Sequence, residues 1–200
     1  MKEAPTILIG VPLQSTFFML PDFHYSLVKA VTHTLEHDLA SKFFFYYPSG
    51  CNVAKNRNLI WNHARVLKPD YLFMVDADMI FKYHTIQRML ERSEQRKDKM
   101  VISGLARKGS PPYDYAVFDK ELQPVKDITT TPFFPHAIGS FGMLIPQKVF
   151  KKFSNPFSRL EDYEEDISFC MKLEEMGVPL LCDPSIYFGH LRAETVKPGV

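Results

Sequence analysis

The chain alternates between short, unbroken apolar runs and longer stretches whose apolar residues recur every three or four positions. Thr6 to Val11 is an apolar run closed by Pro12, and predicts a buried first strand. Phe23, Leu27, Val31, Leu35 and Leu39 then recur at a spacing of four, which predicts an amphipathic helix with Asp22 as its N-cap. Its opposite face carries His24, Lys29, His33, Glu36 and Asp38, a pattern of solvated surface. Phe43 to Tyr47 predicts a second strand stopped by Pro48-Ser49-Gly50, and Asn52 is placed to cap a helix over Val53 to Leu67. Lys68-Pro69-Asp70 breaks that helix. Tyr71 to Phe81 follows, a β-prone run interrupted by Asp76 and Asp78. A helix over Thr85 to Glu94 and a strand over Met100 to Gly104 complete a half in which strands and helices take turns. That alternation predicts an α/β sheet, largely parallel.

The second half has another texture. Arg107 to Pro135 is rich in proline and aromatic residues, with Tyr115 to Phe118 as a strand-like piece. Gly139-Ser140-Phe141-Gly142 reads as a bend entering a strand at Met143 to Ile145, where glycine either admits a ligand close to the backbone or forms a bulge. A short helix is expected over Gln147 to Phe153, and a loop over Asn155 to Arg159. Glu161-Asp162-Tyr163-Glu164-Glu165-Asp166 precedes a helix with Ile167, Phe169, Cys170, Leu173 and Met176 apolar and Gly177 as its stop. Val178 to Cys182 reads as a strand, Asp183-Pro184-Ser185 as a turn, and Ile186 to His190 as a final strand-like segment.

Composition narrows the class. The hydrophobic fraction of 46% and aromatic fraction of 14% belong to a globular chain, and 200 residues suit a single domain. With 24 basic and 23 acidic residues there is no global field toward nucleic acid or an anionic membrane, so an anionic ligand must be held locally. Cys51, Cys170 and Cys182 are odd in number and form no C-x-x-C pair, which argues against a disulfide framework or a zinc knuckle. A reducing, cytoplasmic location is expected. Met1 to Pro5 runs straight into the first strand without the apolar core of a leader, and no stretch is long enough to span a bilayer.

Three features carry candidate chemistry. Asp76 and Asp78 lie at the C-terminal end of a buried strand, the edge where open α/β sheets bind ligands. In extended chain they face the same side, so both carboxylates can meet one hard cation such as Mg²⁺ or Mn²⁺ that keeps positions open for phosphates. The same two acids also suit a turn or a helix cap. Lys55 and Arg57 lie in the first turns of a helix, where cations oppose the dipole; an anionic ligand or a neighbouring acid explains Arg57 equally well. The acids from Glu161 to Asp166 exceed what one helix end needs.

Together these pieces resemble the GT-A fold glycosyltransferases, especially the bacterial and phage branch of glycosyltransferase family 2. The resemblance rests on Val75-Asp76-Ala77-Asp78, on Glu165-Asp166 with Phe169-Cys170, on Asp183-Pro184-Ser185-Ile186 followed by Gly189-His190, and on Asn56-Arg57-Asn58. It implies a single α/β domain over residues 1–200, Rossmann-like, with a mixed, mostly parallel central sheet flanked by helices. Residues 1–104 would form the nucleotide-sugar half and residues 105–200 the acceptor and catalytic half. It implies a metal held by Asp76, Asp78 and His190, a donor nucleotide contacted by Pro12, Arg57, Asp76 and Asp78, and Asp166 as catalytic base with Glu165 beside it contacting the acceptor. The implied cofactors are Mn²⁺ or Mg²⁺ and a nucleotide-sugar donor, a UDP-sugar in the first instance. The acid that often reads uracil after the second strand is replaced here by Tyr47-Pro48-Ser49-Gly50, which leaves the nucleobase open. The acceptor is open among a glycan, a lipid-linked glycan, a protein and a modified DNA.

The implied reaction is a metal-dependent inverting transfer of a sugar, a single displacement with one base. Two rivals follow from the same residues. A nucleotidyltransferase lacks support because no glycine-rich, basic phosphate loop follows the first strand. A non-catalytic nucleotide-sugar-binding module would need the metal site but not Asp166.

Overall fold

The apolar runs become neighbours in one sheet of the computed structural model, which describes residues 3–13, 19–108, 113–158 and 164–191. In chain order the elements are β1 (Thr6–Gly10), α1 (Pro21–Glu36), β2 (Lys42–Tyr46), α2 (Val53–Leu67), β3 (Tyr71–Val75), β4 (Met79–Phe81) and α3 (Thr85–Gln95). They continue with β5 (Val101–Ala106), β6 (Val117–Phe118), β7 (Ala137–Ile138), β8 (Gly142–Pro146), α4 (Gln147–Phe150), α5 (Glu165–Glu175) and β9 (Leu180–His190). Seven strands form the main sheet in the order β2-β1-β3-β8-β5-β9-β4. β1 is parallel to β2 and β3, and β5 is parallel to β9; β8 runs antiparallel to both β3 and β5, and β4 antiparallel to β9. Five strands therefore share one direction, and β8 and β4 oppose them. This is the expected mixed, mostly parallel α/β sheet, and it interleaves strands from both halves of the chain.

β3 and β4 are consecutive in sequence, yet β8, β5 and β9 lie between them in the sheet. The Asp76–Asp78 link thus carries the chain from the sheet's middle to its edge, and the far end of β9 curls back to meet it, pairing His190 with Met79. The curl starts at a register shift between Ser103 and Leu105. Gly104 sits at that shift, and a Cβ there would lie 2.4 Å from the Ile186 carbonyl oxygen, so the strand backbones approach too closely for any side chain.

Two local expectations change. Asp183-Pro184-Ser185 does not end a strand: β9 runs through it. Asp183 satisfies its neighbourhood internally, accepting the Ser185 backbone N–H at 2.9 Å and pairing with Arg92 at 2.6 Å. Turn-prone residues therefore need no turn. In α1 the helix starts at Pro21, with Leu20 at the N-cap position, and Asp22 lies in the first turn. Its buried face is Phe23, Ser26, Leu27, Ala30 and Thr34, while Leu35 is exposed. Strict steps of four drift by about 40° each around a helix of 3.6 residues per turn, so the line from Phe23 to Leu35 leaves the sheet. By contrast Asn52 caps α2 as expected, accepting the Lys55 backbone N–H at 2.9 Å.

Besides the sheet, α2 also joins the two halves. Trp61, fully buried, meets Phe150, Phe153, Phe157 and Phe169, and its Nε1 donates to the Phe153 carbonyl at 2.8 Å. Asn58 clasps the Phe157 backbone twice, donating from Nδ2 to its carbonyl at 2.6 Å and accepting its N–H at 3.0 Å. Phe157 in turn stacks on Phe169 of α5 with centroids 4.5 Å apart. The loop before the acidic cluster is therefore fixed to α2 on one side and α5 on the other. No helix among the described residues is long and apolar enough to cross a membrane.

Trp61→Ala should cost about 3–5 kcal/mol in urea unfolding followed by circular dichroism, through the aromatic void and the orphaned Phe153 carbonyl. A loss below about 1 kcal/mol would show that this cluster does not tie the halves together.

Candidate active site

The site forms where β3 ends. β3 is buried along its whole length, and its last backbone step places Asp76 at the mouth of the sheet, with the Asp76 N–H donating to the Phe141 carbonyl at 3.1 Å. Met79 N–H then donates to the Asp76 carbonyl at 3.3 Å, closing the tight link that turns the chain toward β4. The carboxylate of Asp76 is partly buried. Arg57 Nη2 reaches both its oxygens at 2.9 Å, and Arg57 Nη1 bonds Glu165 Oε1 at the start of α5. One guanidinium thus joins α2, the end of β3 and α5.

Arg57 is only 4% exposed. Burial opposes its charge, but Asp76 and Glu165 together outweigh that penalty and hold its pKa above the usual value. Burial pushes the Asp76 carboxyl up, and Arg57 draws it part of the way back. This settles the two sequence explanations of Arg57 as far as its present partners go: it is paired with acids.

Asp166 follows Glu165 in the first turn of α5 but points elsewhere. Its Oδ1 accepts the Ile167 N–H at 2.8 Å. Its Oδ2 faces Gly139, where an added Cβ would stand 3.5 Å away, with Phe141 and Ala116 atoms at 3.1 and 3.2 Å. Gly139 therefore leaves room beside the carboxylate. Burial raises the Asp166 pKa above the ordinary aspartate value; Arg57 opposes the rise and Glu165 adds to it.

His190 closes the other side. Its Nδ1 lies 3.0 Å from the Arg107 carbonyl oxygen, which can only accept, so Nδ1 carries the proton. Nε2 then faces Asp78 Oδ2 at 3.4 Å. A neutral imidazole would point a lone pair at a carboxylate there, and the pair is attractive only with a cation between or on it. The imidazolium supplies one solution: its bond to Asp78 raises the His190 pKa despite partial burial. A divalent metal ion supplies the other. The backbone bond at Nδ1 is the arrangement that orients a metal-binding histidine, so Asp78 and His190 fit such an ion as a two-donor set. Asp76 does not join them, because both its oxygens are turned to Arg57. Among the described residues no group of three His, Cys, Asp or Glu side chains is gathered for a metal ion.

Arg57, Asp76, Ser140, Glu165, Asp166 and His190 all line one cavity of about 720 Å³, and Lys108, Phe118 and Leu122 belong to the same lining. Pro12 is buried at the end of β1 and lies outside that lining. Glu161 and Asp162 of the acidic cluster lie outside the described residues. Gly139-Ser140 was legible as a bend where a ligand nears the backbone or a bulge forms, without a role for Ser140 itself; the part of Arg107 is played by a backbone carbonyl and leaves no side-chain signal. Cys170 and Cys182 are buried thiols with pKa values pushed up to about 12, unsuited to nucleophilic work.

No family model matches the chain, and no curated protein sequence matches it. Solved structures do. The crystal structure of A197 from STIV superposes with a TM-score of 0.67 at 16% identity, covering 95% of this chain and 87% of that one. The crystal structure of GalNAc-T7 with UDP, GalNAc and Mn²⁺ superposes with a TM-score of 0.66 at 11% identity, covering 98% of this chain and 45% of that one. This chain thus spans less than half the length of GalNAc-T7. At these identities the likeness shows the fold, a GT-A-like α/β domain.

Arg57→Met should destabilise the protein by about 3–5 kcal/mol, because it leaves two carboxylates in one partly buried site without their cation. Adding Glu165→Gln should recover part of that loss in urea unfolding. Strictly additive costs would show that Arg57 and Glu165 are not coupled.

Proposed function

We propose that this protein is a metal-dependent, inverting glycosyltransferase that moves a sugar from a nucleotide-diphosphate donor, a UDP-sugar in the first instance, to an acceptor hydroxyl. The observation that carries this reading is the set of side chains gathered in one cavity. Asp166, Arg57, Asp76 and His190 line it together, and His190 faces Asp78 beside it, at the sheet edge where nucleotides bind in such folds. The GT-A-like fold supports it, and GalNAc-T7, a structural neighbour, was solved with UDP, GalNAc and Mn²⁺.

In this reading Asp78 and His190 hold the divalent ion, and Arg57 keeps Asp76 charged and oriented beside it. The ion, Mn²⁺ or Mg²⁺, would supply Lewis-acid neutralisation of the departing diphosphate. Asp166 Oδ2 takes the proton of the acceptor hydroxyl as that oxygen bonds to the anomeric carbon. The bond from that carbon to the diphosphate oxygen breaks in the same displacement, so configuration inverts without a covalent enzyme intermediate. Glu165, bound to Arg57, positions the guanidinium more than it meets the acceptor. Pro12 ends β1 on the side where the nucleobase would lie. The acceptor would enter past Lys108, Phe118 and Leu122. The chemistry suits a reducing, cytoplasmic setting, with all three cysteines free.

A second reading has one observation in its favour. Asp76 is fully engaged by Arg57, which suits a module that binds nucleotide sugars without turning them over. Asp166 separates the two.

Thermal shifts with UDP, GDP, dTDP and CDP, each with and without Mn²⁺, test the donor site. One nucleotide should raise the melting temperature in a Mn²⁺-dependent way, and Asp78→Ala should abolish that shift. A panel with no shift for any nucleotide would end the donor reading. Asp166→Asn should bind the same nucleotide as wild type and lose at least about 10²-fold in transfer. Unchanged turnover would leave Asp166 without its role, while nucleotide binding without any wild-type transfer or donor hydrolysis would favour the binding module.

The pH profile has a defined sign. The base works ionised and its pKa is raised, so activity should fall with acid through a midpoint above the ordinary aspartate value of about 3.9. A kcat/KM profile flat down to that value would contradict Asp166 as the base.

A further inference from the structure

Among the described residues, three buried side-chain atoms have no hydrogen-bond partner: Asn56 Oδ1, Arg57 Nε and Ser140 Oγ. Two of them, Arg57 and Ser140, line the same cavity. Ser140 is 2% exposed. A buried hydroxyl without a partner is costly to a fold, and such atoms call for a water, an ion or a ligand. Nothing in the local structure asks for a hydroxyl here, since the segment is held by its backbone.

The position of Ser140 along that backbone indicates which ligand group it would meet. Gly139 sits beside the Asp166 carboxylate, and its N–H donates to the Ala116 carbonyl at 2.8 Å. Phe141 gives its carbonyl to the Asp76 N–H at 3.1 Å. The Ser140 carbonyl lies 3.5 Å from Arg57 Nη2. Three consecutive residues therefore bridge from the base to the diphosphate side of the cavity, with Ser140 in the middle. In a single displacement the transferred sugar lies between those two sides. A serine hydroxyl both donates and accepts, so it matches a sugar hydroxyl or an acetamido group, and one χ1 rotation is enough to turn a serine Oγ between staggered positions. Gly139 keeps the adjoining wall low, because any Cβ there would press on Phe141 and Ala116.

We infer that Ser140 is a specificity-determining residue that hydrogen-bonds a polar substituent of the transferred sugar, with the neighbouring Arg57 Nε–H as the second unpaired group of that subsite. This rests on the donor-site reading above and adds to it which residue reads the sugar. A site built to bond a substrate oxygen discriminates against a sugar that lacks it, because its own buried group is then left unpaired.

The test is calorimetric titration of wild type and Ser140→Ala, with Mn²⁺ present, by UDP, UDP-GalNAc and UDP-glucose. Both proteins should bind UDP alike. Wild type should bind at least one UDP-sugar more tightly than UDP, and Ser140→Ala should lose about five- to tenfold of that sugar-dependent gain. Without ligand, Ser140→Ala should melt at the wild-type temperature or above it, because it removes an unpaired hydroxyl. A full sugar-dependent gain in Ser140→Ala, or no such gain in wild type, would overturn the assignment while leaving the nucleotide site standing. A melting temperature several degrees lower without ligand would assign the hydroxyl to the fold instead. If UDP fails to bind wild type, the uridine donor reading falls and Ser140 falls with it.

Discussion

The Arg57 guanidinium is the point on which this molecule converges. It is almost wholly buried, it cannot shed its charge, and little solvent is at hand to compensate. Two carboxylates must therefore stand around it, and they come from positions 76 and 165, far apart in the chain. Removing either acid would leave a buried charge short of a partner, and removing Arg57 would leave two carboxylates facing each other. The end of β3, the second turn of α2 and the start of α5 are held at one place by this constraint. Two further acids of the site are attached to those ends. Asp78 follows Asp76 by one residue in between, and Asp166 is the residue after Glu165.

A second constraint comes from the sheet. Two consecutive strands, β3 and β4, are separated by three others, so the chain must leave the middle of the sheet and return at its edge. The curl of β9 permits this, and it depends on Gly104, where an added Cβ would lie 2.4 Å from the Ile186 carbonyl oxygen. That curl brings His190 from the far end of the chain to Asp78. The pairing of a cation-demanding histidine with a carboxylate is thus a product of strand geometry rather than of proximity in sequence.

The aromatic cluster around Trp61 does quieter service. It fastens α2 to the loop that leads into the acidic segment, through ring contacts and through side-chain bonds to backbone from Trp61 and Asn58. Sites that must hold two walls of a cavity at fixed separation gain from such bracing, because small displacements of a base or an ion pair carry large penalties in rate.

Much of this was readable from the residues alone. Hydrophobic runs closed by Pro, Gly or Asp identified β1, β2, β3 and β5, and the Asn52 cap located α2, because strand burial and helix capping are local matters. The placement of Asp76 and Asp78 at a strand end followed from the same run. Burial of a face is less local. Strict fourfold spacing suggested that Leu35 faces the core, but the 3.6-residue period turns it to solvent. Asp183 looked like a turn because its residue type favours one, and the Ser185 N–H together with Arg92 from α3 lets it sit inside a strand. Its place near a helix start left Arg57 poised between a ligand and an acid; distance in space, not spacing in sequence, gave it Asp76 and Glu165. The chain's local chemistry determined which segments fold as strands and helices and which residue types stand at their ends. Tertiary structure alone decided which of those ends meet, because a pairing across a hundred residues costs loop entropy that no local pattern records.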